Sequence, residues 1–371
     1  MTSESLAPLP LEQWLGVIES EYLSDYIRSG GSAVKVVTGS DAQMTEAQTR
    51  LREMASAGDY YYAHLDPAKL TPEGKRPDLH RIERFFFEVT KEVDWKAWAA
   101  EQARQFLQNK GILLAEGRSI GDVEGIAQDN GRDPNDLINQ YQREFATPQI
   151  RNTSLSFEFR SAITALGRTC LIPEGMTPTN EEVLLGWFRG YSPPGAGSAL
   201  KKLQIYERIS INNARPQLAS FCRWLPHTGH SGLVVTLDFR PYEHKKIAQG
   251  RLQAERLKLV QEAVERGADS EEIARLMAEN SAAQPEIFYS DAAYMHALTL
   301  IRRFIDEIDW FERFLLVILT TPNFYKDKTL NPTVKRCYFD YDALQTRIGQ
   351  EVHDSRYTNP AASLVNFGGT L

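Results

Sequence analysis

The chain has 371 residues, room for two or three units at about 150 residues each, and its 42% hydrophobic and 25% charged content is that of a folded globular protein. Its 42 basic and 49 acidic side chains leave a formal charge of −7, which excludes a protein that coats nucleic acid by bulk charge. No apolar run approaches the ~20 residues of a membrane span, residues 1–10 lack the basic and apolar parts of a secretory signal, and 3 scattered cysteines fit a reducing compartment, so the expected location is the cytoplasm.

Leu11, Leu15, Ile18, Tyr22 and Ile27 recur at helical spacing up to Gly30-Gly31, a double glycine that ends a helix. The β-branched run Ala33–Val37 then reads as a buried strand closed by Thr38-Gly39-Ser40-Asp41. Residues 42–56 carry Met44, Ala47, Leu51 and Ala55 on one helical face, and Tyr60–Leu65 reads as a second strand. Strand, helix and strand at this spacing predict a βαβ unit, hence a parallel sheet.

About 165 residues with almost no strand signal follow. Ile82, Phe85, Phe86, Val89 and Val93 make an apolar helical stripe, Asp94 is placed to cap the next helix, and 122–145, 155–166 and 181–188 read as further helices. Ile126, Gly131 and Leu137 have the rough spacing of a helix-turn-helix, but Asp122, Glu124, Asp129, Asp133 and Asp136 would repel a phosphate backbone, so a packed helical pair is expected. Ser192–Ser198, with Pro193-Pro194-Gly195, reads as a hinge.

Beyond it a helix over 203–225 leads into the apolar strand Gly232–Asp238. Residues 243–280 read as a charged helical hairpin broken at Gly267 and restarted by Asp269 and Glu272. A helix over 293–308 precedes the strand Phe314–Leu319, which ends in Thr320-Thr321-Pro322, and a fifth strand is expected over 335–341. The fold class these elements predict is α/β: a P-loop-like parallel sheet of about five strands flanked by helices, with an inserted helical subdomain. The expected division is a first half of the α/β core at 1–80, a helical insertion at 81–198, and a second half at 199–371.

A nucleotide-binding loop has the form G-x-x-x-x-G-K-[ST] between a strand and a helix; its amides and lysine hold phosphates and its hydroxyl holds Mg²⁺. Counted from Gly39, the second glycine position holds Met44, the lysine position Thr45 and the hydroxyl position Glu46, with Asp41 adding an acid. A carboxylate a few ångströms from a phosphate costs about 1–4 kcal/mol, so ATP and Mg²⁺ are disfavoured here. A turn capped by Ser40 or Asp41 accounts for the same residues. Asp238, at a strand end, stands where such enzymes keep a Mg²⁺-organising acid, or pairs with Arg240. Thr320 stands where a γ-phosphate could be sensed, or simply closes its strand. Cys222, His227, His230 and His244 fall short of four well-placed zinc ligands, and no metal site is expected. Arg208, Arg215, Arg240, Arg302 and Arg303 are candidates to act across an interface; on amphipathic helices arginines more often pair with local acids.

In order along the chain, Glu21-Tyr22-Leu23, Gly30–Lys35, Asp94-Trp95, Asn213-Ala214-Arg215, Gly232–Arg240, Tyr341–Ile348 and Asn359–Val365 resemble the BREX-system ATP-binding-domain family (BrxD-like), relatives of the origin-recognition AAA+ proteins found with bacterial anti-phage genes. The resemblance implies an AAA+-like core, a phosphate loop over Gly39–Glu46, an acidic strand end at Asp238, and partners of the helicase, methyltransferase or nuclease class. DNA would then be reached through those partners, and an oligomer is compatible. The chain departs from that ATPase pattern at Met44, Thr45 and Glu46, and at Phe239, where active relatives carry a water-polarising glutamate. The expected function is therefore a pseudo-ATPase or scaffold subunit of a phage-defence system. The alternatives are an ATPase completed by a partner in trans and a DNA-binding module.

Overall fold

The computed structural model describes residues 8–71, 74–171, 178–243, 258, 260–268, 272–273, 289–325, 338–349 and 359–368. Five strands, β1 (Ser32–Thr38), β2 (Tyr61–Leu65), β3 (Leu233–Asp238), β4 (Phe314–Thr320) and β5 (Leu364–Asn366), form one sheet in the order β2-β3-β4-β1-β5. Every pairing is parallel. β1 and β4 pair along their whole length, Ser32 opposite Phe314 through Thr38 opposite Thr320, whereas β5 meets only Val36–Thr38.

Four strands lie where the apolar runs predict them, because a sheet covered on both faces needs continuous apolar sequence. The fifth does not. Residues 335–337 lie outside the described residues, and 338–341 open a helix (Tyr338–Gly349) instead of a strand. Leu344 and Ile348 are buried one helical turn apart, so the aromatic run before them belongs to a helical pattern. The true edge strand is three residues long, too short for any alternation to show.

On one face of the sheet lie α1 (Leu11–Val17), its π-helical continuation Ile18–Tyr26, and α2 (Asp41–Ala57). Their Trp14, Ile18 and Leu51 pack on Val37, Val234, Leu315 and Val317. The chain leaves the π-helical turn through Gly30 (φ +111°) and Gly31, where a Cβ would lie 2.6 Å from the Tyr26 ring.

The opposite face carries α3 (Ile82–Val89), α4 (Trp95–Asn109), α8 (Phe157–Leu171), α9 (Pro178–Phe188), α11 (Ala214–Trp224), α13 (Asp291–Asp306) and α14 (Tyr338–Gly349). They cover the alternate strand residues Val36, Val235, Leu237, Leu316 and Ile318, as the two-residue period of a strand requires. Within this layer Trp95 stacks on Phe188 at 3.8 Å and on Trp224 at 5.6 Å. The Trp224 indole N–H donates to Gln102 at 3.1 Å. The expected insertion thus shares its main core with the sheet. Only its outer part, α5 (Val123–Asp129), α6 (Pro134–Tyr141) and the end of α4, closes a smaller apolar cluster of its own. Asp122 and Asp133 cap those two short helices through Gly125 N–H (3.0 Å) and Asn135 N–H (2.8 Å), so these acids serve as caps in the expected packed pair.

The helix expected over 203–225 is shorter than its sequence suggests. α7 (Thr147–Arg151) and α10 (Ala196–Lys202) precede it, and an irregular stretch runs to Asn213 before α11 begins. Pro216 sits in the first turn of α11, where a missing N–H is harmless; a helix through it from Leu203 would lose a hydrogen bond and clash. A short helix α12 (Arg240–Glu243) follows β3. Of the expected charged hairpin, the described part bears out the stop at Gly267 (φ +73°), where Ala268 N–H bonds to Ala263 C=O at 2.9 Å. Asp269 lies outside the described residues. Among the described residues no helix is long and apolar enough to cross a membrane.

Candidate functional site

β1 continues into α2 on one face, while its neighbour β4 is followed by α14 on the other. The crevice at the carboxyl ends of these two strands is therefore the topological switch point, where open α/β sheets bind ligands. It gathers Gly39, Ser40 and Asp41 after β1, Asp238 and Arg240 at the end of β3, and Thr320 and Thr321 at the end of β4.

The first finding is how little loop there is. α2 starts at Asp41, so only Gly39 and Ser40 separate strand from helix, and nothing remains of the long wrap a phosphate loop needs. Met44 is fully buried in the core. Thr45 and Glu46 stand in the second helical turn, both exposed, and the Thr45 hydroxyl donates back to Asp41 C=O at 2.9 Å.

The second finding is that the turn is closed by its own side chains. Ser40 is the N-cap, and Gln43 completes a capping box. The Gln43 amide oxygen accepts the Ser40 N–H at 2.8 Å, and its nitrogen donates to Phe367 C=O at 3.0 Å. A Cβ on Gly39 would meet the Gln43 amide oxygen at 2.8 Å, the Met44 Cε at 3.1 Å and the Phe367 Cβ at 3.4 Å, so a side chain there would have to displace the ends of Gln43 and Met44. Across the crevice the Thr38 hydroxyl donates to Thr321 C=O (2.7 Å), and the fully buried Thr320 hydroxyl donates to Val37 C=O (2.9 Å). The hydroxyl placed to sense a phosphate already donates its proton to the sheet.

The acid at the end of β3 is also engaged. Arg240 Nε and Nη2 reach the two carboxylate oxygens of Asp238 at 2.9 and 2.7 Å, and Arg240 Nη1 reaches Asp41 at 2.8 Å. This two-pronged geometry is the strong form of the pair, and the hydrogen bonds that Arg240 donates to Asp238 raise the Arg240 pKa. Phe239, the residue after Asp238, is fully buried among Tyr242, Tyr294 and Phe324.

Sequence reasoning missed Gln43, Glu243 and His64. The spacing Ser-x-x-Gln was a readable capping signal. Glu243 accepts the Thr321 N–H and hydroxyl at 2.8 and 3.0 Å, and desolvation pushes its carboxyl up to about 8. His64, on β2, bonds through Nδ1 to Thr236 at 2.8 Å, and burial lowers its pKa.

The remaining candidates are elsewhere. Arg215 pairs with Glu307 at the C-cap of α13, and Arg302 is half-buried on α13; Asp238 is bridged by Arg240 rather than by either of them. Cys222 is fully buried, His227 is exposed, and His230 bonds to Thr228 at 2.9 Å against the Trp98 ring. Among the described residues no three His, Cys, Asp or Glu side chains come together as metal ligands; His244 lies outside them. Compared with protein-family models, with curated proteins and with solved structures, the chain matches none.

Proposed function

We infer that the chain is a non-hydrolysing scaffold built on a nucleotide-type α/β core, working by binding another protein. The observation that carries this reading is the Gln43 side chain seated on the β1–α2 turn: it accepts the amide N–H of Ser40, one of the groups that would otherwise face a phosphate. The Arg240 clamp on Asp238 supports the same reading, because it uses the carboxylate that would organise Mg²⁺. The resemblance in the sequence supplies the setting: an anti-phage defence system with a partner of the helicase, methyltransferase or nuclease class.

Calorimetric titration with Mg·ATP, beside an assay for phosphate release, tests it. The expected result is no saturable heat and no turnover. Micromolar binding with turnover abolished by Asp238→Ala would overturn it, and turnover that emerges only on mixing with a partner would replace it with a composite ATPase.

A further inference from the structure

The helical segment between β2 and β3 contains a cavity of about 340 Å³, a volume in the small-ligand range, that shares no residue with the crevice at the sheet edge. Its long wall is α8. Ser161, Thr164, Ala165 and Arg168 all line it, and the spacing i, i+3, i+4, i+7 is a single helical stripe. The other faces of α8 are occupied: Phe159, Ile163 and Leu166 belong to the main core, and Gly167 C=O accepts the Tyr141 hydroxyl at 2.9 Å.

On this buried wall the sequence keeps two hydroxyls. Ser161 and Thr164 are 2% and 3% exposed, and neither hydroxyl oxygen has a hydrogen-bond partner. An unpartnered buried hydroxyl destabilises a fold, and alanine or valine would fill the same space without that cost. The cavity's rim has the complementary chemistry. Arg168 and Lys202 are exposed there, and neither makes an ion pair among the described residues. No carboxylate is among the described residues lining the cavity, although acids outnumber bases in the chain. Gln204 also lines it, just beyond α10, where its left-handed backbone (φ +61°) is the ordinary helix-ending turn, with Gln204 N–H bonded to Lys201 C=O at 3.0 Å and Ile205 N–H to Leu200 C=O at 2.8 Å.

We propose that this cavity binds a small hydroxylated phosphomonoester of the sugar-phosphate class. Arg168 and Lys202 hold the phosphate at the rim, where a guanidinium fork and an ammonium match its oxygens. Ser161 and Thr164, whose oxygens are covered in the ligand-free wall, turn their hydroxyls to those of the ligand as it seats, and the ligand supplies the hydrogen bonds that they lack.

The test uses the full chain, titrated at constant ionic strength with glucose 6-phosphate, glycerol 3-phosphate, inorganic phosphate and glucose, and followed by melting midpoint and calorimetry. One or both phosphomonoesters should stabilise saturably, inorganic phosphate more weakly, and glucose not at all. Arg168→Gln, at an exposed position, should fold normally and weaken that binding about tenfold, the loss of one charged hydrogen bond. The pair Ser161→Ala with Thr164→Val should abolish the preference for phosphomonoester over inorganic phosphate while raising the midpoint of the ligand-free protein. A structural pair of hydroxyls would lower that midpoint, and this result overturns the proposal. So does an absent response to every phosphate, a response to inorganic phosphate alone, or binding that none of these substitutions alters. The Mg·ATP titration reads the other site, so failure here leaves that reading unaffected.

Discussion

Arg240 clamps Asp238 through both carboxylate oxygens while its third nitrogen reaches Asp41 at the start of α2. One guanidinium thereby joins the segment after β3 to the helix after β1. Only the Asp238 half of the contact is sheltered: the Asp238 and Arg240 side chains are 10% and 15% exposed, that of Asp41 88%.

The two halves should therefore differ in strength. Arg240→Gln strands a buried carboxylate and is expected to cost about 3 kcal/mol, whereas Asp41→Ala, at an exposed pair, should cost under about 1 kcal/mol. Combining Arg240→Gln with Asp238→Asn should cost less than the sum of the single changes. Urea denaturation of the four variants checks this, and equal losses for Asp41→Ala and Arg240→Gln would contradict it.

The β1–α2 turn makes a second prediction through Gly39 and Gln43. Gln43→Ala removes half of the capping box and a hydrogen bond to Phe367, a loss of about 1 kcal/mol. Gly39→Ala alone pushes a methyl group against the Gln43 amide and should cost a similar amount. In the Gln43→Ala background most of that second cost should vanish, because the nearest obstructing atom has gone. A double-mutant cycle by denaturant midpoint measures the coupling, and strict additivity would show that Phe367 or Met44 is the real obstacle.

Glu243 fixes a pH dependence with a definite sign. Its folded carboxyl is raised to about 8 from an ordinary value of 4.5, so in that interval the folded state holds the proton that the unfolded chain has released. Stability from this group is complete below the ordinary value and declines as pH rises towards about 8. Glu243→Gln should remove that slope, since an amide can still accept the Thr321 N–H and donate to its hydroxyl. Chemical denaturation across neutral pH tests it; a slope unchanged in the Gln variant assigns the titration to another group.

Lys35 gives the fourth prediction. Its ammonium, 4% exposed, donates to the Tyr22 hydroxyl at 2.6 Å and to Ala361 C=O. Lys35→Met keeps the apolar stem but removes the ammonium, so the Tyr22 hydroxyl loses its donor and the Ala361 carbonyl keeps only the Tyr22 hydroxyl, an expected loss of about 1–3 kcal/mol. Hydrogen exchange should locate the loosening at residues 359–366 rather than in α2.

What could be read in advance follows the range over which each feature is decided. β1 to β4 were visible because burial on both faces writes itself into consecutive residues. β5 was not, because three residues on the edge of β1 carry no period of their own. Asp238 and Arg240 lie two positions apart, and their pairing was among the readings the sequence allowed. The link between Glu243 and Thr321 spans 78 residues and arises only from the fold. The stripe of Ser161, Thr164 and Arg168 was present at helical spacing, but hydroxyls on a helix become informative only once their burial and lack of partners are known.

The Gln43 bond to Phe367 joins positions 324 residues apart, and this order matters during synthesis. The turn after β1 emerges from the ribosome long before Phe367, the acceptor that anchors the Gln43 amide. Until Phe367 has emerged, the carboxyl edge of the nascent sheet lacks that seal.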